Sequence, residues 1–179
     1  RIEWLAPIGF NASFVFVVSA DDQRFKDVAA ISALAGLQGR ARLAVTPAFM
    51  NRSDGNASLV KVYDLEVKLV AQSDNTAPPL YRALAERRVD ALVGTASDGA
   101  LAGPRWKILA DDKSAFLPNQ ACLVARGDAF TQHPDLRDIL TRLSGKISQE
   151  EIRKLNRKGD SGGDPAGVAA AVLAAAGLA

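Results

Sequence analysis

The chain has 179 residues, 48% hydrophobic and 23% charged, enough to bury one core or two small lobes that share a hinge. Net charge is only +2, with basic residues scattered among acidic ones, so no basic stripe faces a phosphate backbone and no nucleic-acid partner is expected. The longest greasy run, residues 168–179, is Ala-rich, broken by Gly177 and well short of the roughly 20 residues that cross a bilayer, so no membrane span is expected in this chain.

The chain opens on Arg1, without an initiator Met or a signal peptide, and is read as processed or incomplete at that end. Phe14 to Val18 is a dense β-branched and aromatic run that predicts a strand, as does the shorter Leu43 to Thr46. Between them, Val28, Ile31, Leu34 and Leu37 recur every three residues in a helical pattern. Leu59, Val60 and Tyr63 share a helical face, and Leu65, Val67 and Leu69 then alternate with Glu66 and Lys68 as in a half-buried strand. Pro78-Pro79 opens another helix carrying Leu80, Tyr81 and Leu84, with Arg87-Arg88 suited to the negative end of its dipole. Val89 to Val93 returns as a strand.

After Gly94 the run Thr95-Ala96-Ser97-Asp98-Gly99 is small and polar, a turn or crossover that divides the chain into residues 1–96 and 97–179. Lys107 to Ala110 and Ala121 to Ala125 predict strands joined by the polar loop Asp111 to Gln120; Cys122, the one cysteine, is expected to be a buried strand thiol. Three helices follow. Pro134 starts one bearing Leu136, Ile139, Leu140 and Leu143, Ser148 to Glu151 forms a capping box for the second, and Asp164-Pro165 caps the third. Alternating strands and helices imply an α/β fold with a mostly parallel sheet flanked by helices, where ligands sit at the carboxyl ends of strands.

Little supports catalysis. His133 is the single histidine and reads as a solvent-facing residue beside a helix start, and one His with one Cys cannot furnish a zinc site. The pairs Asp21-Asp22 and Asp111-Asp112 read as solvated loop charge, since neighbours in extended chain point opposite ways. Neither GxGxxG nor GxxxxGK[ST] occurs, so no nucleotide cradle, cofactor or metal is expected and an enzyme is not. What remains is a set of polar groups at element ends: Asn11, Ser13, Asn51, Arg52, Thr95, Ser97 and Asp98. Of these Arg52 stands out, because a planar guanidinium past a strand end can grip a carboxylate with two parallel hydrogen bonds.

Several segments together resemble the extracytoplasmic solute-binding proteins of glycine betaine/choline/carnitine (quaternary ammonium) ABC transporters. They are Trp4 to Phe14 (WLAPIGFNASF), Thr46 to Gly55 (TPAFMNRSDG), Ser97-Asp98-Gly99, Leu109 to Lys113, Phe116-Leu117-Pro118, His133 to Leu136, Leu143 to Ile147 and Leu155-Asn156. The resemblance implies a two-lobe type II periplasmic-binding-protein fold whose lobes close on a solute about two crossover strands. It places residues 1–96 in the second lobe with the first crossover and 97–179 in the C-terminal part of the first lobe, whose opening part is absent, so the first lobe is incomplete.

By the same resemblance the expected partners are a small-molecule solute and the membrane permease of an ABC transporter, and the expected location is periplasmic or otherwise extracytoplasmic. Family members that bind betaines ring the trimethylammonium with aromatic faces, since a cation without N–H groups is held by cation–π and dispersion contacts. The matching positions here are Phe14, Thr95 and Gln120, only one of them aromatic, while Arg52 matches a carboxylate clamp. The expectation is therefore a zwitterionic or carboxylate-bearing solute held by Arg52 and Phe14, oriented by Asn11, Ser13, Asn51, Thr95 and Ser97, and met by Gln120 from the opposite lobe. The alternative is an effector-sensing domain of a transcriptional regulator, which can share this architecture, although no helix-turn-helix is apparent.

Overall fold

A computed structural model describes residues 1–37, 39–72, 74–175 and 177–178. Its centre is the apolar run predicted as the first strand, β2 (Phe14–Ser19), which follows β1 (Ile2–Asn11) after two residues. β2 joins β3 (Arg42–Val45), β4 (Lys68–Ala71), β5 (Ala91–Thr95) and β6 (Trp106–Leu109) in a five-stranded sheet of order β4-β3-β5-β2-β6. β3 runs parallel to β4 and β5, whereas β2 is antiparallel to both its neighbours, so four of the five strands share a direction.

The period of two along these strands sorts the core into two layers. Phe16, Val18, Leu43, Val45, Ala91 and Val93 face one side, where Phe25, Ile31, Phe49, Leu59 and Tyr63 cover them. Val17, Ala44 and Leu92 face the other, against Leu80, Tyr81, Leu84 and Leu101. The covering helices are α1 (Pro47–Asn51) and α2 (Asn56–Tyr63) on the first side and α3 (Ala77–Ala85) on the second. Asp90 ties the sheet's lower edge: its carboxylate accepts from Arg42 N at 2.8 Å, Arg42 Nε at 3.3 Å and Arg24 Nη1 at 2.9 Å.

Outside that sheet β1 pairs antiparallel with β7 (Gln120–Arg126) in a two-stranded ribbon, with Trp4 73% exposed on it. Short helices α4 (Gly127–Gln132) and α5 (Leu136–Thr141) precede α6 (Gln149–Asp160) and α7 (Pro165–Ala175). The capping box forms as expected, Ser148 Oγ accepting from Glu151 N and Glu151 Oε2 from Ser148 N, and Asp164 caps α7 through the amides of Ala166 and Gly167. Among the described residues no helix is long and apolar enough to cross a membrane.

Several elements differ from expectation. The every-third-residue pattern folds as a 3-10 helix over Ile31–Leu37, the period at which i and i+3 eclipse; the side chain of Leu37 and the tail positions Ala176 and Ala179 lie outside the described residues. The alternating segment begins pairing only at Lys68, leaving Leu65 as a buried loop residue. Arg87 and Arg88 lie beyond α3 rather than in its last turn, Arg88 bonding Glu86 instead. Cys122 is half-buried, not buried. Asp111 and Asp112 do not point apart: both carboxylates reach the Tyr63 hydroxyl, at 2.5 and 3.1 Å, and Asp111 also takes the amides of Ala115 and Phe116.

The pattern of residues did not mark β1 as a strand because Pro7 and Gly9 interrupt it. Register shifts fall on either side of Pro7, and Gly9 sits at φ 126 where an added Cβ would lie 2.5 Å from the Ile147 carbonyl oxygen. That close approach lets Ile8 O and Pro7 O accept from Ile147 N and Gly145 N, which anchors the C-terminal helices to the ribbon.

Two predictions follow from this packing. Phe49, fully buried between the sheet and α2, makes edge-to-face contacts with Phe14 and Phe116 at 5.1 and 6.1 Å between centroids; Phe49→Ala should lower the unfolding free energy by about 3–5 kcal/mol in denaturant titration. Burial pushes the Asp90 carboxyl up, but the Arg42 amide and the Arg24 and Arg42 guanidinia outweigh it and hold the carboxyl below the usual carboxylate range. Its contribution to stability is present above the unfolded-state value of about 3.9 and is lost as pH falls through the lower folded value. Asp90→Asn should therefore be less stable than wild type near neutral pH, and thermal unfolding should show the gap closing below about pH 4.

Candidate ligand-binding site

The carboxyl ends of the parallel strands β3, β4 and β5 open on one cavity of about 210 Å³. Its wall takes Thr46 from the end of β3, Asn75 and Thr76 from the loop after β4, and Thr95 from the end of β5. Ser13 and Phe14 at the start of β2, Arg52 and Asp54 from the turn between α1 and α2, and Asp98, Leu117 and Asn119 complete it. A second cavity, about 520 Å³ between α6, α7 and the chain before them, is lined mainly by apolar groups such as Leu143, Ile147, Leu155, Val168 and Leu173. The smaller cavity carries the convergent polar groups and is the candidate site.

Arg52 is placed by the short helix α1. Thr46 caps it, its Oγ1 accepting from Phe49 N at 3.2 Å, and Asn75 Oδ1 accepts from Ala48 N at 2.8 Å. The helix ends because Gly55 folds back on it: an added Cβ there would lie 2.0 Å from the Phe49 carbonyl oxygen, an approach only glycine permits. On the resulting turn Arg52 donates through Nε and Nη2 to the two oxygens of Asp54 at 2.8 and 2.6 Å. Its guanidinium also lies 5.4 Å from the centre of the Phe14 ring. Phe14, which lines the cavity, packs edge to face with the buried rings of Phe49 and Phe116, the three centroids 5.1, 6.0 and 6.1 Å apart, so it is held by an apolar cluster. The hydrogen bonds and charge of Asp54 raise the already high affinity of Arg52 for its proton, and Arg52 in turn lowers the Asp54 carboxyl.

Across the cavity the end of β5 is knotted by Asp98. Its carboxylate accepts from Thr95 N at 2.9 Å, Thr95 Oγ1 at 2.5 Å and the Tyr81 hydroxyl at 3.0 Å. Burial pushes the Asp98 carboxyl up, and the Thr95 and Tyr81 donors offset only part of that shift. Gly94 is required beside it, since a Cβ would lie 2.3 Å from Asp98 Oδ2.

The eight residues expected to meet the solute separate into two groups. Ser13, Phe14, Arg52 and Thr95 line the cavity together. Asn11 does not: its Oδ1 accepts from Ser13 N, Ser13 Oγ and Asn119 N, tying the corner between β1 and β2 to the segment that enters β7. Asn51 is the exposed last residue of α1, and Gln120 is exposed at the start of β7, opposite Asn11 in the ribbon. Ser97 is buried behind Thr95, with its carbonyl accepting from Asn156 Nδ2 of α6. Asn75, Thr76 and Asn119 line the cavity without having been singled out. The first two carried a readable signal, polar residues between a strand of a parallel sheet and a helix start; Asn119 carried none, because its position depends on the fold around Asn11.

The chain matches, over residues 1–175, the family described as the substrate binding domain of ABC-type glycine betaine transport systems. A carnitine transport binding protein, OpuCC of Listeria monocytogenes, is 30% identical over 88% of this chain and 51% of its own length. The glycine-betaine-binding protein of Pseudomonas aeruginosa is 23% identical over 88% of this chain and 53% of its own. The chain thus spans about half the length of these relatives. A crystal structure of a glycine betaine/carnitine/choline ABC transporter protein superposes with a TM-score of 0.80 at 30% identity, covering 99% of this chain and 65% of that one. Lactococcal OpuAC, closed on glycine betaine, has the same fold at 18% identity, with a TM-score of 0.72 over 96% of this chain and 66% of that one. This is the mixed α/β fold of type II periplasmic binding proteins, and the chain belongs to the family of substrate-binding domains of ABC-type glycine betaine transport systems.

Proposed function

We propose that this chain captures a small zwitterionic or carboxylate-bearing solute for an ABC importer and passes it to a membrane permease on the extracytoplasmic side. The observation that carries this reading is Arg52, a guanidinium among convergent polar groups on the wall of a small cavity at the carboxyl ends of β3, β4 and β5, in a member of a family of transporter substrate-binding domains. Arg52 is the carboxylate clamp. Phe14 supplies the apolar face, and Ser13 and Thr95 orient the solute. Asn11 acts through the corner it ties, Asn51 and Ser97 by positioning the turns that bear Arg52 and Thr95, and Gln120 from the β7 side.

Residues 1–96 and 97–179 belong to two lobes in this reading, with β6 of the second part completing the sheet of the first, so the division does not separate two independent cores. A solute touching both parts stabilises their closed arrangement only by the contacts it makes there and nowhere else, and that arrangement is what a permease recognises.

The test is calorimetric titration of the wild-type chain and Arg52→Ala with carnitine, glycine betaine and choline. Loss of a charge-assisted hydrogen-bonded contact should weaken the two carboxylates about tenfold or more and leave choline, which has no carboxylate, nearly unaffected. Equal affinities of wild type and variant for the carboxylates would remove Arg52 from the site.

A further inference from the structure

Arg52 already holds a carboxylate. The side-by-side pairing it makes with Asp54, at 2.8 and 2.6 Å, is the pairing a solute carboxylate would require, and both side chains line the same cavity. Their spacing is set by the turn that Gly55 closes, so the pair is built into the loop. A solute carboxylate that takes the Nε–Nη2 edge of Arg52 displaces Asp54, and Asp54 then stands in the cavity as a carboxylate without its partner.

The charges of the lining sharpen the consequence. Among the described lining residues Arg52 is the one cation, against the carboxylates of Asp54 and Asp98, and the oxygens of Asp98 are already taken by Thr95 and Tyr81. Phe14 is the one aromatic ring there, and its face carries the Arg52 guanidinium. The cationic end of a solute therefore finds no open ring in this lining, but it does find Asp54.

Resting on the clamp reading of Arg52, we propose that Asp54 determines the specificity of the site. It holds the Arg52 fork until a solute carboxylate takes it, then pairs with the solute's cationic end, so that zwitterions are accepted and monoanions of the same shape are rejected. A monoanion that displaces Asp54 leaves two like charges facing each other across the cavity, and selectivity arises from that repulsion as much as from attraction.

Glycine betaine and 3,3-dimethylbutyrate, in which carbon replaces the quaternary nitrogen, differ in charge and hardly in shape. Titrated into the wild-type chain, glycine betaine should bind about fivefold or more tightly than the monoanion. Asp54→Asn keeps the size of the side chain and should narrow that preference to about twofold or less, chiefly by tightening the monoanion. An unchanged ratio of the two affinities, or no measurable binding of either probe by Asp54→Asn, overturns the proposal. Arg52→Ala keeps the two failures apart. If it loses both probes while the Asp54→Asn ratio stays at the wild-type value, the clamp stands and the role of Asp54 falls; if it changes neither probe, the clamp reading falls and takes this inference with it.

Discussion

The carboxamide oxygen of Asn11 accepts three hydrogen bonds, from Ser13 N at 2.8 Å, Ser13 Oγ at 2.7 Å and Asn119 N at 3.0 Å. With Ala12 N donating to Asn119 O and Ser13 Oγ sharing its proton with Leu117 O, each at 2.8 Å, it joins the two points at which the chain passes between the β1/β7 ribbon and the five-stranded sheet. Asn11 N in turn donates to Gln149 Oε1 at the first turn of α6. An aliphatic side chain there would leave the Ser13 amide without its acceptor and Asn119 N with only Ser13 Oγ. The cavity depends on this tie because Ser13, Phe14, Leu117 and Asn119 are all lining residues within two positions of it.

The chemistry of the cavity follows from what surrounds it. Beneath the wall, three phenylalanines fill the space with apolar rings, which leaves polar recognition to side chains arriving from turns: Arg52 and Asp54, Asn75 and Thr76, Thr95. Each turn is fixed by its own local hydrogen bonds. Asp74 Oδ1 accepts from Thr76 N and Oγ1 at 2.9 and 2.6 Å, Asn75 caps α1, and Asp98 holds both donors of Thr95. Such a site is preorganised in the sense that its groups are ordered before a solute arrives, so less ordering entropy opposes binding.

Where the sequence was legible, a local pattern had a single physical outcome. Phe14 to Val18 was a strand because β-branched and aromatic runs of that length pack only as such, the strand expected over Val89 to Val93 formed two residues later, over Ala91–Thr95, and Ser148 to Glu151 and Asp164 made the caps that their side chains permit. The place of Arg52 was legible as a polar group past a strand end in a recognisable stretch, and it does line the cavity. The rest needed the third dimension. β1 was obscured by Pro7 and Gly9, whose roles depend on Ile147 and Gly145 more than 130 positions away in the chain. Asp111 and Asp112, adjacent and apparently solvated, converge on Tyr63 because the loop turns within five residues, a turn that no alternation reveals. Asn11 was noticed for the right reason, a polar group at an element end, yet the fold spends that group on the backbone rather than on the cavity.

The C-terminal helices matter to the cavity through a backbone segment. Ala96 O accepts from both Gln149 Nε2 and Arg153 Nε at 2.8 Å, and Ser97 O accepts from Asn156 Nδ2 at 2.8 Å, so one face of α6 carries the two residues between Thr95 and Asp98. Gly99, next in line, packs so closely on α6 that a Cβ would lie 2.4 Å from Arg157 N. Thr95 is therefore held from both sides, by Asp98 within its own loop and by α6 through Ala96. Any displacement of α6 relative to the sheet must either break these three charge-assisted or amide hydrogen bonds together or carry the end of β5 with it. The second course keeps every buried group paired, and unpaired buried groups are what a packed structure most resists. The end of β5 in the cavity wall is thus tied directly to α6 through the two residues that follow it.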